Sequence, residues 1–250
     1  MSMRVGGAGD HHHDIKLEIA AGNIGDMASL NKFGYSADID TAAEEVWDGG
    51  AAYAGFLAAA TTMSAISTSN EDGPSAGGTG ALTITIEGLA ADYSPLSATL
   101  TMNGTTTTSE TGTAFLRVFR AYVVTTGSAL SNVGTITIAS TTPTTVAIIS
   151  ATKGQTLMAI YTVPLGKTLY MTQWYLATGK ADDIFGELFK REVGGAWRIQ
   201  HSQSIYQGST HHDFHPYLKF TEKTDIKIMA LSSNLNTVGS AGFDGILVTN

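Results

Sequence analysis

The stretch TLMAIYTVPLGKTLYMTQWYLA, Thr156–Ala177, decides the fold class. Two apolar runs, rich in aromatic and β-branched residues, flank Pro164-Leu165-Gly166. Proline presets φ and glycine accepts a left-handed conformation, so this tripeptide has the chemistry of a tight turn between two strands. Similar patterns recur on either side. Upstream, Leu82, Ile84 and Ile86 alternate with Thr83, Thr85 and Glu87, the period of a half-buried strand. Leu57–Ser67 reads as a strand too, and Asn103-Gly104 between Ser97–Met102 and Thr105–Thr108 predicts a type I′ hairpin. Phe115–Val124 is apolar on both sides and reads as a central strand, followed by Thr135–Ala139 and Val146–Ile149. Downstream, Gly194-Gly195 separates Ile184–Val193 from Ala196–Tyr206 as a second hairpin, and Asp225–Ala230 and Phe243–Val248 complete the series. So many short strands punctuated by turns predict sandwiches or barrels.

The predicted fold class is therefore all-β, with two β-sandwich domains, the C-terminal one jelly-roll-like, and an extended N-terminal arm. Residues 1–32 form the expected arm, turn-rich and of low complexity, in which only Ile15, Leu17 and Ile19 alternate; it includes the run His11–His13. Residues 33–152 form an acidic, threonine-rich β-sandwich domain entered through a connector, 33–50. Lys153-Gly154 marks the boundary with the second domain, 153–250.

Charged residues make up 14% of the 250, well under the usual quarter, and 17 threonines fall between Ser97 and Thr152. Threonine keeps an exposed strand soluble without charge, which suits surfaces partly covered by other chains. Between Phe33 and Thr152 ten acidic residues face two basic ones, Arg117 and Arg120. A region of that sign repels phosphate backbones, and the C-terminal part, with nine basic and eight acidic residues, carries no nucleic-acid footprint either. Without cysteine there is no disulfide or thiolate chemistry. No apolar run suits a signal peptide or membrane span, so a protein made and kept in a cytoplasm is expected, with neither membrane nor nucleic acid among its partners.

KFGYSADIDTAAEEVWDGG, Lys32–Gly50, resembles a segment of uncharacterised structural proteins of tailed, especially marine, bacteriophages. EGLAADYSPLSATLTMNGT and FLRVFRAYV, within Glu87–Val123, resemble the middle region of those proteins; Lys153–Tyr175 and Pro216–Asn250 resemble their C-terminal region. The sequence departs from the family pattern at Tyr35-Ser36-Ala37, where an Arg-Asn-Pro-like tripeptide is common, and it lacks the usual Pro-rich step after the double glycine. The resemblance implies a virion component assembled in host cytoplasm, a capsid cement or decoration protein. Its implied partners are the major capsid protein or other virion proteins and further copies of itself, a trimer being favoured. The alternative is a tail, knob or vertex-fibre module that recognises host glycans or a receptor.

Candidate chemistry is sparse. His211, Asp213 and His215 have the spacing of metal ligands on one strand face, though a polar loop leading into Pro216 is the favoured reading. Asp38, Asp40, Glu44, Glu45 and Asp48 cluster as a Ca²⁺ loop can, but Ala42 and Ala43 occupy positions that need oxygen and glycine. They read better as solvated or interface carboxylates. Phe33, Val46 and Trp47 are the expected anchors of this connector, with Asp38 and Asp40 as interface candidates. Neither a nucleophile elbow nor a phosphate-binding loop is present, so no enzyme activity and no cofactor are expected.

Overall fold

Alternation sets the strands, and their lengths set the architecture. The computed structural model describes residues 14–74 and 77–250, with the side chains of Lys180 and Ala181 outside the description. In chain order it contains helix α1 (Ile15–Ala20) and strands β1 (Met27–Ile39), β2 (Glu44–Glu45), β3 (Met63–Ser67), β4 (Ala81–Leu89), β5 (Pro95–Thr101), β6 (Arg117–Thr126), β7 (Ile136–Ser140) and β8 (Thr145–Ile149). The second half adds β9 (Ile160–Thr162), β10 (Lys167–Arg191), β11 (Arg198–Phe220), β12 (Asp225–Leu231) and β13 (Thr237–Thr249). The protein is all-β, with a nearly closed, jelly-roll-like barrel sheet and two smaller sheets forming a second domain.

The large sheet has seven strands in the order β1-β13-β10-β12-β2, with β11 on β10 and β9 on β12. β10 organises it. Its first half, from Lys167 to Thr178, pairs with β13, its last part, from Phe185 to Arg191, pairs with β12, and β11 runs along its opposite edge. Inward-facing Trp174, Leu176, Ile184, Ile228, Phe220 and Phe243 fill the barrel. The smaller sheets, β3-β7-β8 and β5-β4-β6, enclose a separate core of Met63, Ile84, Ile86, Phe115, Ile136 and Ile138. Their outward threonines pair across strands, as in Thr83–Thr125 at 2.6 Å and Thr85–Thr99 at 2.8 Å.

One wall serves both cores. Val46 belongs to the barrel core and Trp47 to the other; Ala159 and Tyr161 face the barrel while Met158 and Ile160 face away. Trp47 and Met158 bridge, and Ala159 N donates to Val46 O at 3.0 Å, so two extended segments with a two-residue period form a shared partition. β1 crosses this wall at Gly34, where a Cβ would lie 2.1 Å from Val46 O and 2.4 Å from Ala159 N. Only glycine permits that approach.

Several local expectations are corrected. Residues 27–39 are not arm and connector but strand β1, zipped onto β13 from Met27–Val248 to Ile39–Thr237. Ile15, Leu17 and Ile19 lie on a helical turn, not a strand, because the Asp14 carboxylate accepts from Lys16 N at 2.9 Å and caps it. The run His11–His13 lies outside the described residues. Pro164-Leu165-Gly166 turns a corner between two strands that do not pair with each other: β9 bonds β12, whereas β10 bonds β13. β4, not β6, is central in its sheet. The Asn103-Gly104 hairpin does not close, since β5 pairs with β4 and Gly104 N is captured by Asp72 O at 2.6 Å. Thr105–Thr111 crosses instead to β3, where the Thr108 and Thr111 hydroxyls accept from Ala65 N and Met63 N. The threonine hydroxyls complete a sparse backbone ladder, in which Thr108 N and Thr111 N donate to Ala65 O and Met63 O at 2.8 Å each.

Candidate functional site

Two places concentrate polar chemistry: the seam between the domains and the outer face of the large sheet. At the seam, Asp225 of β12 accepts from Arg117 of β6 (2.9 and 3.1 Å), from Arg191 of β10 (3.1 and 2.6 Å) and from Thr162 Oγ1 (2.7 Å). Arg117 also donates to the carbonyls of Leu57 and Leu116. Beside it the buried Lys227 meets Glu45 at 2.7 Å. An aromatic file, Trp47–Tyr53–Phe56–Trp197, with centroids 5.0–5.2 Å apart, ends under the Arg191 guanidinium, 4.5 Å above Trp197. Every charge in this group is paired, the arrangement of a structural lock.

The acidic connector is woven into the same region. Val46 and Trp47 are buried, Phe33 is half-buried and Asp38 exposed, and Asp40 accepts from Asn236 N at 3.0 Å. Burial, then Asp40, Asp38 and Glu45, pushes the Glu44 carboxyl up to about 7. Burial also raises Asp48 to about 6, against the lowering pull of Leu157 N, which donates to it at 3.1 Å. Glu44 Oε1 and Asp48 Oδ1 are buried with no hydrogen-bond partner among the described residues. Nearby, between the domains, Lys32 donates to Phe119 O at 2.5 Å beside a cleft of about 380 Å³, and burial lowers its pKa to about 7.

The histidine segment is strand, not loop. His211, Asp213 and His215 face outward on β11, while His212 and Phe214 face inward. His212 stacks on His201 at 4.0 Å, and His201 Nδ1 accepts from Trp174 Nε1 at 3.2 Å. Burial and His212 hold His201 below the usual imidazole range. Among the described residues no three His, Asp or Glu side chains converge as a metal site. Asp213 and His215 instead line a cleft of about 420 Å³ with Lys16, Asn31, Gln173, Tyr217 and Asp244. Its floor is one rung of the sheet: Asn31 pairs in register with Asp244, Asp244 with Gln173, and Gln173 with Asp213. Asn31 Nδ2 and Gln173 Nε2 each donate to an Asp244 oxygen at 2.5 Å. On the next rung Tyr175 lies over Gly242, where a Cβ would meet its hydroxyl at 2.6 Å.

Of this rung the sequence points only to Asp213, and of the cleft's rim only to His215. The rung's alignment depends on the register of four strands from distant parts of the chain, which no local pattern announces. β11 has a second property: among the described residues its sheet partner is β10 alone, and Ile199, Tyr206 and Tyr217 along it are exposed.

No protein-family model matches the chain, and no curated protein matches it. Among solved structures, the Yersinia pseudotuberculosis-derived mitogen is similar at 12% identity and a TM-score of 0.20, over 37% of this chain and 85% of that one. A structure of infectious bursal disease virus, Gt strain, is similar at 10% identity and a TM-score of 0.22, over 89% of this chain and 72% of that one. At these scores neither likeness carries an argument about this chain.

Proposed function

We propose that the chain is a structural component of a tailed-bacteriophage virion, a cement or decoration protein that stabilises the head by protein–protein contacts as a homo-oligomer. The observation that carries this reading is the open edge of β11. It is 23 residues long, bonds among the described residues to β10 alone along a ladder interrupted at Gln200, at Gln207 and between Asp213 and Leu218, and carries few charges. A long exposed edge offers unpaired backbone N–H and C=O groups to another chain, and soluble monomers avoid leaving one uncovered. A second copy or a capsid neighbour laid along β11 would satisfy those groups and cover Ile199 and Tyr206. The family resemblance and the charge-poor, threonine-covered outer faces support the same reading.

Counting copies in purified particles tests it. Hundreds of copies per virion are expected for a head decoration. A dozen or fewer would move the chain to the adsorption apparatus, and absence from the particle would overturn the virion reading altogether.

A further inference from the structure

We infer that the cleft on the outer face of the large sheet is a binding site for a neutral saccharide. The inference does not depend on where in a particle the chain sits. It rests on the rung Asn31–Asp244–Gln173–Asp213, which sets two carboxylates and two amides side by side across four adjacent strands. Neighbouring strands are spaced about 4.8 Å apart, so the row is roughly 14 Å long. That length spans two or three sugar rings.

The donor and acceptor inventory suits hydroxyl groups. Each Asp244 oxygen takes one amide N–H, and a carboxylate has about four acceptor positions, so capacity is left on both. Asn31 and Gln173 each retain a second N–H and a carbonyl oxygen beyond the bond to Asp244. The Asp213 side chain, at the end of the row, is exposed, so its carboxylate is open to a ligand. Vicinal hydroxyls both donate and accept, and a planar carboxylate or amide meets two of them at once. The two amides also brace Asp244 from opposite sides, so the row is held in place before any ligand arrives, which lowers the ordering cost of binding.

The walls complete the match. Tyr217, 42% exposed, stands on the rim with an apolar ring and a polar tip, the kind of surface against which the C–H face of a sugar packs. The volume of about 420 Å³ lies in the range of small-ligand sites. Two carboxylates in the floor against the single cation Lys16 disfavour uronates and sialic acids. A bridging metal is not needed, since the described His, Asp and Glu residues do not converge on one.

The test is a glycan array carrying neutral hexose and N-acetylhexosamine oligosaccharides alongside uronate- and sialate-containing ones, probed with the full chain and followed by titration calorimetry on the best binder. Binding to a neutral glycan is expected, with affinity falling about tenfold or more in Asp213→Ala and in Tyr217→Ala, a loss of about 1.4 kcal/mol or more each. Both side chains are exposed, so these variants should keep the parent melting temperature. Tyr206→Ala, exposed on the same strand away from the cleft, should bind as the parent does. No neutral binder on the array, binding confined to acidic glycans, or equal affinity in the Asp213 and Tyr217 variants would each overturn the assignment. None of these outcomes changes the expected copy number in the particle, so this inference and the virion reading fail separately.

Discussion

The barrel sheet and the smaller domain reach similar all-β ends by different means. In the barrel, long strands do the organising: β10 and β11 run 25 and 23 residues, and the two ends of the chain are joined where β1 zips onto β13. Backbone ladders run along most of the length of these strands, with the outer edge of β11 left open. In the smaller domain strands are five to ten residues long, and side chains finish the ladders that the backbone leaves open. The buried Asp72 carboxylate is the centre of that arrangement, accepting from Ser67 Oγ at 2.6 Å and from Ala81 N, Val133 N and Gly134 N at 2.8 Å each. Asn132 does the same in reverse, donating to the carbonyls of Gly134 and Ser150 and accepting from Gly154 N. Continuous ladders spread stability over many weak contributions, whereas a polar hub concentrates it in one residue.

The comparison breaks most directly at the seam that joins the two regions. Asp225→Ala leaves Arg117 buried and both guanidinium groups without their carboxylate. The expected cost is about 3–5 kcal/mol, lowering the melting temperature by roughly 10 °C. Calorimetry reads the consequence. A single transition at the lower temperature would mean that the shared wall of Val46–Trp47 and Met158–Ile160 keeps the two cores cooperative; two transitions would mean that Asp225 was their main coupling.

A smaller, local effect is expected at the hub. Asp72→Ala strands four donors, three of them backbone amides, at a cost of about 2–4 kcal/mol. Hydrogen exchange should accelerate in β3, β4 and β7 while amides of β10 and β13 keep their protection. Asp72→Asn is the sharper variant, because it keeps the volume but turns an NH₂ group toward donors. If exchange in β10 rises equally, the contrast between hub and ladder fails, and the molecule unfolds as one unit.

How much of this was legible in the sequence follows the same division. The alternation of Leu82–Glu87, the turn at Gly194-Gly195 and the apolar runs around Pro164 gave strands because their periodicity is local. What failed were pairings. Asn103-Gly104 has ideal hairpin chemistry, yet Asp72 O and Asn70 Oδ1 capture the turn from a loop that is distant in sequence. Lys32–Gly50 read as a connector because its strand partner, β13, lies some 200 residues away, and a strand with glycine and serine on its inner face shows no strong alternation. The polar rung was invisible for the same reason: Asn31, Gln173, Asp213 and Asp244 are unremarkable one at a time and become a row only through register. Trp47 and Val46 were singled out as anchors, but that adjacent residues feed two different cores follows from the wall, not from their hydrophobicity.

The smallest expected effect concerns the wall's own acid. Glu44 pairs with Ala230 at the barrel edge, and its Oε1 is buried with no hydrogen-bond partner among the described residues. Its pKa is raised in the folded protein to about 7, from 4.5 in the absence of the fold. Below pH 4.5 the group is protonated in both states and costs nothing. As pH rises from 4.5 toward 7 the unfolded chain loses this proton first, so stability falls, and above 7 the full penalty is present. Asp48, raised to about 6, tilts the pH dependence in the same direction. Glu44→Gln removes the first contribution. Because the side chain is only partly buried, solvent screening reduces the gain to about 1 kcal/mol at pH 8, a rise of roughly 2–4 °C in melting temperature, shrinking to nothing at pH 4. An equal rise at both pH values would assign the gain to strand preference instead of titration. No rise at pH 8 would mean that the carboxylate already has a partner in solution, and the acidic connector would then be a contact surface for another chain and not merely the rim of the wall.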